Sequence, residues 1–356
     1  MRNGFNLLAL VRPNIQKLTP YSSARKEFSG NARIFLDANE NSFGSPIAAD
    51  YHRYPDPLQT EIKKIVGDWN RLQPEEIFLG NGSDEAIDLL FRIFCEPAKD
   101  NIVICPPTYG MYEVSAEIND VEIRRANLSE DFELDFARIN QNIDKRTKLV
   151  FFCSPNNPTG NTLDREGILE FARGFRGIVV IDEAYIHFSS ERSLLPEIRN
   201  FPNLVVMQTF SKAWGLAGLR IGLAFANAEI IRLFNNVKPP YNISQIAQEA
   251  LLTALRETEV VEKTVQRIIA ERDNLMAEIS KLKFVTRVFP TEANFVLIRT
   301  TDANSIYKYL LEETIVVRNR NSVELCEGCL RITVGTPDEN LKLWEALKKY
   351  EESFIH

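Results

Sequence analysis

Two features of this sequence are suited to covalent chemistry: a lysine with an arginine eight residues on, Lys212-Ala-Trp-Gly-Leu-Ala-Gly-Leu-Arg220, and an aspartate closing an apolar run, Ile178-Val179-Val180-Ile181-Asp182. Lys212 follows the apolar run 204–209 and has Phe210, Ala213 and Trp214 around it. On a solvated surface it would be an ordinary protonated lysine. Desolvated, near a second cation, its pKa falls and it becomes a nucleophilic amine. Asp182 ends a buried run, and a buried carboxylate requires a cationic partner. Gly80-Asn81-Gly82-Ser83 leads from an apolar strand into a helix. Such a turn is either an ordinary N-cap or a phosphate cradle, in which free N–H groups and the helix dipole face an anion. Asp84 and Glu85, acids in the first turn, compete with an anion there, so a cradle requires their side chains to point away. The guanidinium of Arg220 suits a bidentate clamp on the same phosphate.

A pyridinium nitrogen is a cation that Asp182 could pair with, and an aspartate at that nitrogen is what pyridoxal phosphate chemistry requires. Tyr109 offers a face for stacking on a flat ring, and Asn157 and Tyr185 offer hydrogen bonds to a phenolate oxygen. The remaining sequence narrows the choices. With 42 basic and 49 acidic residues the net charge is -7, which disfavours a nucleic-acid partner. No apolar run approaches the 18 or so residues of a membrane span. The segment 1–11 lacks the features of a secretory signal, and a cytoplasmic location is the expectation. Five cysteines, an odd number, argue against an extracellular disulfide framework. Cys326-Glu-Gly-Cys329 stands without a second C-x-x-C, so no four-ligand zinc site is predicted and no metal is expected. The three histidines have no metal-ligand spacing.

The elements that must position these groups are legible as continuous apolar runs at 77–80, 102–105, 149–153, 178–182, 204–209 and 221–226, the pattern of strands covered on both faces. Helices are predicted at 85–94, with Ser83 as N-cap, and at 165–173. Strands recurring every 25 to 45 residues have the size of βαβ units. Five of the six end in polar clusters: Asn81-Gly-Ser-Asp84, Pro106-Pro-Thr-Tyr-Gly110, Ser154-Pro-Asn-Asn-Pro-Thr-Gly160, Asp182-Glu-Ala-Tyr185 and Ser211-Lys212. If those strands are parallel, the clusters converge on one crevice at their carboxyl ends. From 244 to 282 the sequence predicts one long or two abutting helices. Strands at 294–299, 315–318 and 330–334 and a helix at 339–350 follow. The length suggests about two domains. The expected organisation is a large cofactor domain, 45–243, set between the two parts of a smaller one, 1–44 and 244–356.

The sequence resembles the fold-type-I pyridoxal-phosphate-dependent aminotransferases. The matching segments are Leu36-Asp-Ala-Asn-Glu-Asn-Ser-Phe-Gly44, Tyr54-Pro-Asp-Pro57, Pro107-Thr-Tyr-Gly-Met-Tyr112, Ser154 to Gly160, Asp182 to Tyr185, Thr209-Phe-Ser-Lys-Ala-Trp-Gly-Leu-Ala-Gly-Leu-Arg220 and Leu330-Arg-Ile-Thr-Val-Gly-Thr336. Among them, Pro107 to Tyr112 and Leu330 to Thr336 resemble the branch that acts on histidinol phosphate. The resemblance implies an α/β fold with a large, mostly parallel sheet sandwiched by helices and a smaller α+β domain. It implies that Lys212 carries pyridoxal 5'-phosphate and moves the substrate's α-proton. Asp182 would pair with the ring nitrogen, Asn157 and Tyr185 would bond the 3-hydroxyl oxygen, and Tyr109 would stack on the ring. Backbone amides of Ser83 and Asp84, with Ser211 and Arg220, would hold the cofactor phosphate. Tyr54 would reach that phosphate from the other subunit of a homodimer. Tyr21, Arg318 and Arg331 would bind the substrate's phosphate or, in the second half-reaction, a carboxylate of glutamate or 2-oxoglutarate.

The implied reaction is ping-pong transamination of L-histidinol phosphate with 2-oxoglutarate to imidazole-acetol phosphate and L-glutamate, a step of histidine biosynthesis. One departure is Ser42, where the family's Asn-Glu-Asn motif commonly continues with Pro; a looser loop near the substrate mouth is the expected effect. The alternatives are an aromatic-amino-acid aminotransferase or a threonine-phosphate decarboxylase, which share the cofactor residues, and a catalytically silent α/β binding protein.

Overall fold

The computed structural model describes residues 5–21, 33–47 and 49–354. Its centre is a seven-stranded sheet: β1 (Ile77–Asn81), β2 (Asn101–Ile104), β3 (Glu122–Arg125), β4 (Thr147–Cys153), β5 (Ile178–Asp182), β6 (Leu204–Thr209) and β7 (Ile221–Ala226), in the order β1-β7-β6-β5-β4-β2-β3. From β3 to β6 every neighbouring pair is parallel. β7 is antiparallel to both β6 and β1, so β1 runs with the parallel set. The six strands predicted from the sequence are present, and the five that end in polar clusters share one direction. The reversal at β7 has a local cause. Residues 210–220 joining β6 to β7 contain only one short 3₁₀ turn, Ala217–Leu219. A parallel return would need a crossover of a dozen or more residues.

Both faces of this sheet are covered. Alternate residues of β5 go opposite ways, Ile178 and Val180 toward one core and Val179 and Ile181 toward the other. The first core takes Ile87, Leu90 and Phe91 from helix Ser83–Phe94 and Ile230 and Phe234 from helix Ala228–Val237. The second takes Ile62 and Val66 from helix Thr60–Asn70, Ile168 and Leu169 from helix Arg165–Gly174 and Leu251 from helix Gln245–Ala254. Edge strand β3, Glu-Ile-Arg-Arg, is missing from the sequence prediction because its charges, which protect an open edge, disguise it.

The segment 244–282 forms two helices, Gln245–Ala254 and Thr258–Ile279, with Ser244 capping the first. Beyond them lies a second, antiparallel sheet of β8 (Val285–Val288), β9 (Phe295–Thr300), β10 (Arg318–Asn319) and β11 (Cys329–Thr333), in the order β10-β11-β9-β8. Leu275 and Ile279, Ile306 and Leu310 of helix Ala303–Glu312, and Leu343 and Leu347 of helix Pro337–Phe354 cover Val296, Ile298, Leu330 and Ile332. The strand predicted at 315–318 shrinks to Arg318–Asn319. Ile315 N–H instead bonds the Leu310 carbonyl at the helix end, and Val316 is exposed. Among the described residues no helix is long and apolar enough to cross a membrane.

Candidate functional site

The parallel strands point their carboxyl ends at a cavity of about 200 Å³. Nine residues singled out from the sequence line it: Ser83 and Asp84 after β1, Tyr109 after β2, Asn157 after β4, Asp182 and Tyr185 at the end of β5, Ser211 and Lys212 after β6, and Arg220 before β7. The reason is topological, because residues remote in sequence meet where adjacent parallel strands end.

The turn after β1 is shaped by close approach. Gly82, at φ +79°, is the N-cap of helix Ser83–Phe94, and Ser83 is its first residue. This corrects the sequence prediction of Ser83 as cap. A side chain at 82 would meet the Arg220 guanidinium, and one at Gly222 would lie 2.3 Å from Ser83 N. Gly82 N–H donates to the Arg220 carbonyl at 2.7 Å, which fixes the turn against β7. The two first-turn acids diverge. Glu85 turns away, accepting from Asn81 N–H and Asn242 Nδ2. Asp84, contrary to the sequence expectation, faces the site. Its carboxylate accepts from the Tyr109 hydroxyl at 3.1 Å and lies 3.5 Å from Arg220 Nη2. A cation and a phenol on opposite sides hold it there.

Asp182 is buried, with Oδ1 accepting from Ala184 N–H at 3.1 Å and Oδ2 from the Tyr112 hydroxyl at 2.7 Å. Both donors are neutral. Burial therefore raises its pKa, against which Tyr112 is the largest opposing effect. Lys212 is accessible through the open cavity rather than sealed from solvent as the sequence suggests. Its amine is nevertheless pushed below the ordinary lysine value, by burial first and by the Arg331 guanidinium second. It stands 5.6 Å from the Tyr185 ring centre. Tyr185 is buried, edge-on to Phe295, and its phenol is pushed up chiefly by burial.

The second sheet contributes cations. Arg331 on β11 donates through Nη1 to Asn157 Oδ1 and lies over the Phe295 ring. Arg318 stands directly opposite Arg331 in the β10–β11 register. None of Arg331, Arg318, Tyr21 and Tyr54 lines the cavity itself, which Arg331 meets only through Asn157. Tyr21 is exposed, and Tyr54, half exposed, stacks on Tyr241 at 4.4 Å. Sequence reasoning misses Tyr112, although it falls three residues after Tyr109 in a quoted motif. It also misses Arg320, whose signal is strand periodicity from Arg318. All five cysteines are buried and unbridged.

The donor set fits pyridoxal phosphate. A buried carboxylate with only neutral donors has a place for a protonated ring nitrogen. A glycine turn at a helix N-terminus, with Ser211 and Arg220, has one for a phosphate, since the inward Asp84 carboxylate is held by the Tyr109 hydroxyl and the Arg220 guanidinium and leaves the helix N–H groups free. An amine with a lowered pKa lies between them.

Comparison with known proteins agrees with this geometry. Residues 37–347 match the family model described as aminotransferase class I and II. The chain is 50% identical over 346 residues to the histidinol-phosphate aminotransferase of Cytophaga hutchinsonii, covering 97% of this chain and 99% of that one. It is 51% identical, over the same shares, to the histidinol-phosphate aminotransferase of Bacteroides thetaiotaomicron. The crystal structure of the histidinol-phosphate aminotransferase from Clostridium acetobutylicum superposes with a TM-score of 0.79 at 29% identity, covering 85% of this chain and 92% of that one.

Proposed function

The chain belongs to the class I and II aminotransferases, which are pyridoxal-phosphate-dependent, and from that premise we propose that it transfers the amino group of L-histidinol phosphate to 2-oxoglutarate, a step of histidine biosynthesis. The observation that carries this is the placement of Lys212, whose amine is pushed below the ordinary lysine value, and Asp182, a buried carboxylate whose hydrogen-bond donors are both neutral, at the ends of adjacent strands β6 and β5. Near-full-length similarity to proteins of that activity supports the substrate.

Pyridoxal phosphate, when bound, supplies the electron sink that lets the bond from substrate α-carbon to hydrogen break. Lys212 would hold the cofactor and would accept and return the substrate's α-proton, a task suited to an amine whose pKa lies below the usual lysine value. Asp182, held by Tyr112 and Ala184, keeps the ring nitrogen protonated. Asn157 gives its Oδ1 to Arg331, which leaves its Nδ2 to bond the 3-hydroxyl oxygen together with Tyr185. Ser83 and Asp84 amides, Ser211 and Arg220 hold the cofactor phosphate. Tyr109, fixed by Asp84, forms the wall against the ring. Arg331, Arg318 and Tyr21 receive the substrate phosphate and, in the second half-reaction, a carboxylate. Because both anions use one place, substrates alternate as ping-pong kinetics require.

In this proposal residues 45–243 form the cofactor domain and 1–44 with 244–356 the smaller one. The chain works in the cytoplasm as a homodimer, with Tyr54 reaching the partner's cofactor phosphate. Half exposure of Tyr54, together with exposed Leu36, Phe43 and Ile47 nearby, supports a covering partner. Steady-state rates with histidinol phosphate, phenylalanine and threonine phosphate test the substrate. A clear preference for histidinol phosphate is the expected result, and its absence would reject the assignment.

A further inference from the structure

Antiparallel pairing places Arg318 and Arg331 directly opposite each other, so their side chains leave the same face of the β10–β11 ribbon. Arg320 follows Arg318 by two residues and continues the ribbon, with its N–H donating to the Cys329 carbonyl at 2.9 Å. Period-two geometry returns its side chain to that face. Arg331 reaches the edge of the cavity through its bond to Asn157, which lines it, and Arg320 and Arg331 each act electrostatically on Tyr185, another lining residue, and on each other.

Three guanidiniums on one face repel one another, and here burial lowers the charged form of Arg320 and Arg331 further. An ordinary surface cluster would be relieved by carboxylates. Among the described residues none of the three is ion-paired to one: the single hydrogen bond made by a guanidinium of the set is from Arg331 to the neutral Asn157. Nε of Arg320 and Nε of Arg331 are both buried without a hydrogen-bond partner. Buried donors of this kind are costly unless something satisfies them. The missing partner is therefore an anion, and three cations exceed what one carboxylate needs.

We infer that Arg320 is a specificity-determining residue that completes a three-arginine site for a doubly charged phosphate monoester, distinguishing it from the carboxylate that occupies the same place in the other half-reaction. The inference rests on the transamination proposed above. Arg331, fixed to Asn157 and over Phe295, receives either anion. Arg320 adds the charge and the donor that only the larger phosphate, with three acceptor oxygens and a second ionisation near pH 6, can use fully. A carboxylate offers two oxygens and one charge, so its binding depends little on Arg320.

Ping-pong kinetics provide an internal control, because each half-reaction can be followed alone on the holoenzyme. Arg320→Gln is expected to lower kcat/KM for histidinol phosphate roughly tenfold to hundredfold, the worth of a charge-assisted hydrogen bond. It should change kcat/KM for glutamate less than about threefold, on the same scale. Arg320→Lys, which keeps the charge but loses the fork, should recover part of the loss. Inhibition of the glutamate half-reaction by inorganic phosphate should weaken in parallel in Arg320→Gln. Equal losses in both half-reactions, or none in either, together with unchanged phosphate inhibition, would overturn the role of Arg320. A wild-type enzyme that does not turn over histidinol phosphate would instead overturn the assigned reaction, while the phosphate-inhibition comparison would still decide the anion site.

Discussion

Lys212 and Asp182 carry the strongest expectations at the scale of single residues. Lys212→Ala removes the amine that both anchors the cofactor and moves the proton. Transamination should fall by at least about 10⁴-fold, and borohydride should trap no cofactor on the chain, as mass spectrometry of the intact protein would read. Asp182 poses a more physical question. In the cofactor-free protein, burial raises its folded-state pKa above the unfolded value of 3.8. Below that value both states are protonated and the residue has no net effect. As pH rises through its folded-state pKa, the folded state must bury a charge that the unfolded state exposes, and stability falls. Asp182→Asn removes that penalty. Cofactor-free Asp182→Asn should therefore be more stable than the wild type at pH 8, by about 1–3 kcal/mol, with the gap closing as pH falls toward the unfolded value of 3.8. The same variant should lose at least about a hundredfold in kcat, because a neutral amide does not keep the ring nitrogen protonated. A wild type that melts higher at pH 8 would contradict this account. Tyr112→Phe tests the supporting bond: without its hydroxyl the carboxylate is less stabilised, so the acidic limb of the kcat profile should shift upward in pH.

Among the secondary elements, the decisive contact is between β7 and the turn that follows β1. Gly222 pairs with Gly80 and with Thr209, and a Cβ there would meet only backbone, Ser83 N and the Gly82 carbonyl carbon. Backbone cannot rotate aside as a side chain can. Gly222→Ala should cost about 1–3 kcal/mol of stability and weaken cofactor affinity by tenfold or more, read by denaturant melts and by titration of the cofactor-free protein. The nearby Gly218→Ala, which meets nothing within 4 Å, is the control. The central strands were legible in sequence because each is buried on both faces and so continuously apolar. β3 and β8 were not, since they stand at edges and keep charged or exposed residues. Gly82 as cap was also hidden. Its positive φ answers to the approach of Arg220, which lies 138 residues away along the chain and is invisible to a local rule.

Across the whole molecule, one buried guanidinium ties the two sheets together. Arg272, in helix Thr258–Ile279, donates through Nη1 to the Phe188 carbonyl behind β5 and to the Ala293 carbonyl before β9, each at 3.3 Å. Arg272→Met should destabilise the protein by about 2 kcal/mol in denaturant unfolding. It should also lower kcat/KM, since Arg331 must be placed relative to Lys212 and small misplacements are costly in catalysis. A stability loss with unchanged kcat/KM would show that other contacts set that distance. The proposed dimer predicts sedimentation at twice the 40.7 kDa of one chain, and Tyr54→Phe should loosen cofactor binding without changing that mass.

Sequence alone determined the residue types, the strand-end clusters and, through them, the cofactor chemistry. Chain order places a lysine, an aspartate and a glycine turn each after an apolar strand, and parallel strands must bring such ends together. Tertiary structure decided everything that depends on distance between remote segments: Tyr112 bonded to Asp182, Asp84 turned into the site between Tyr109 and Arg220, and Arg331 bonded to Asn157 on the ribbon it shares with Arg318. A side chain's type limits what it can do. Whether its charge finds a partner depends on what the folded chain leaves beside it, and here, among the described residues, Asp182 has only neutral hydrogen-bond donors and Nε of Arg320 and of Arg331 has no acceptor.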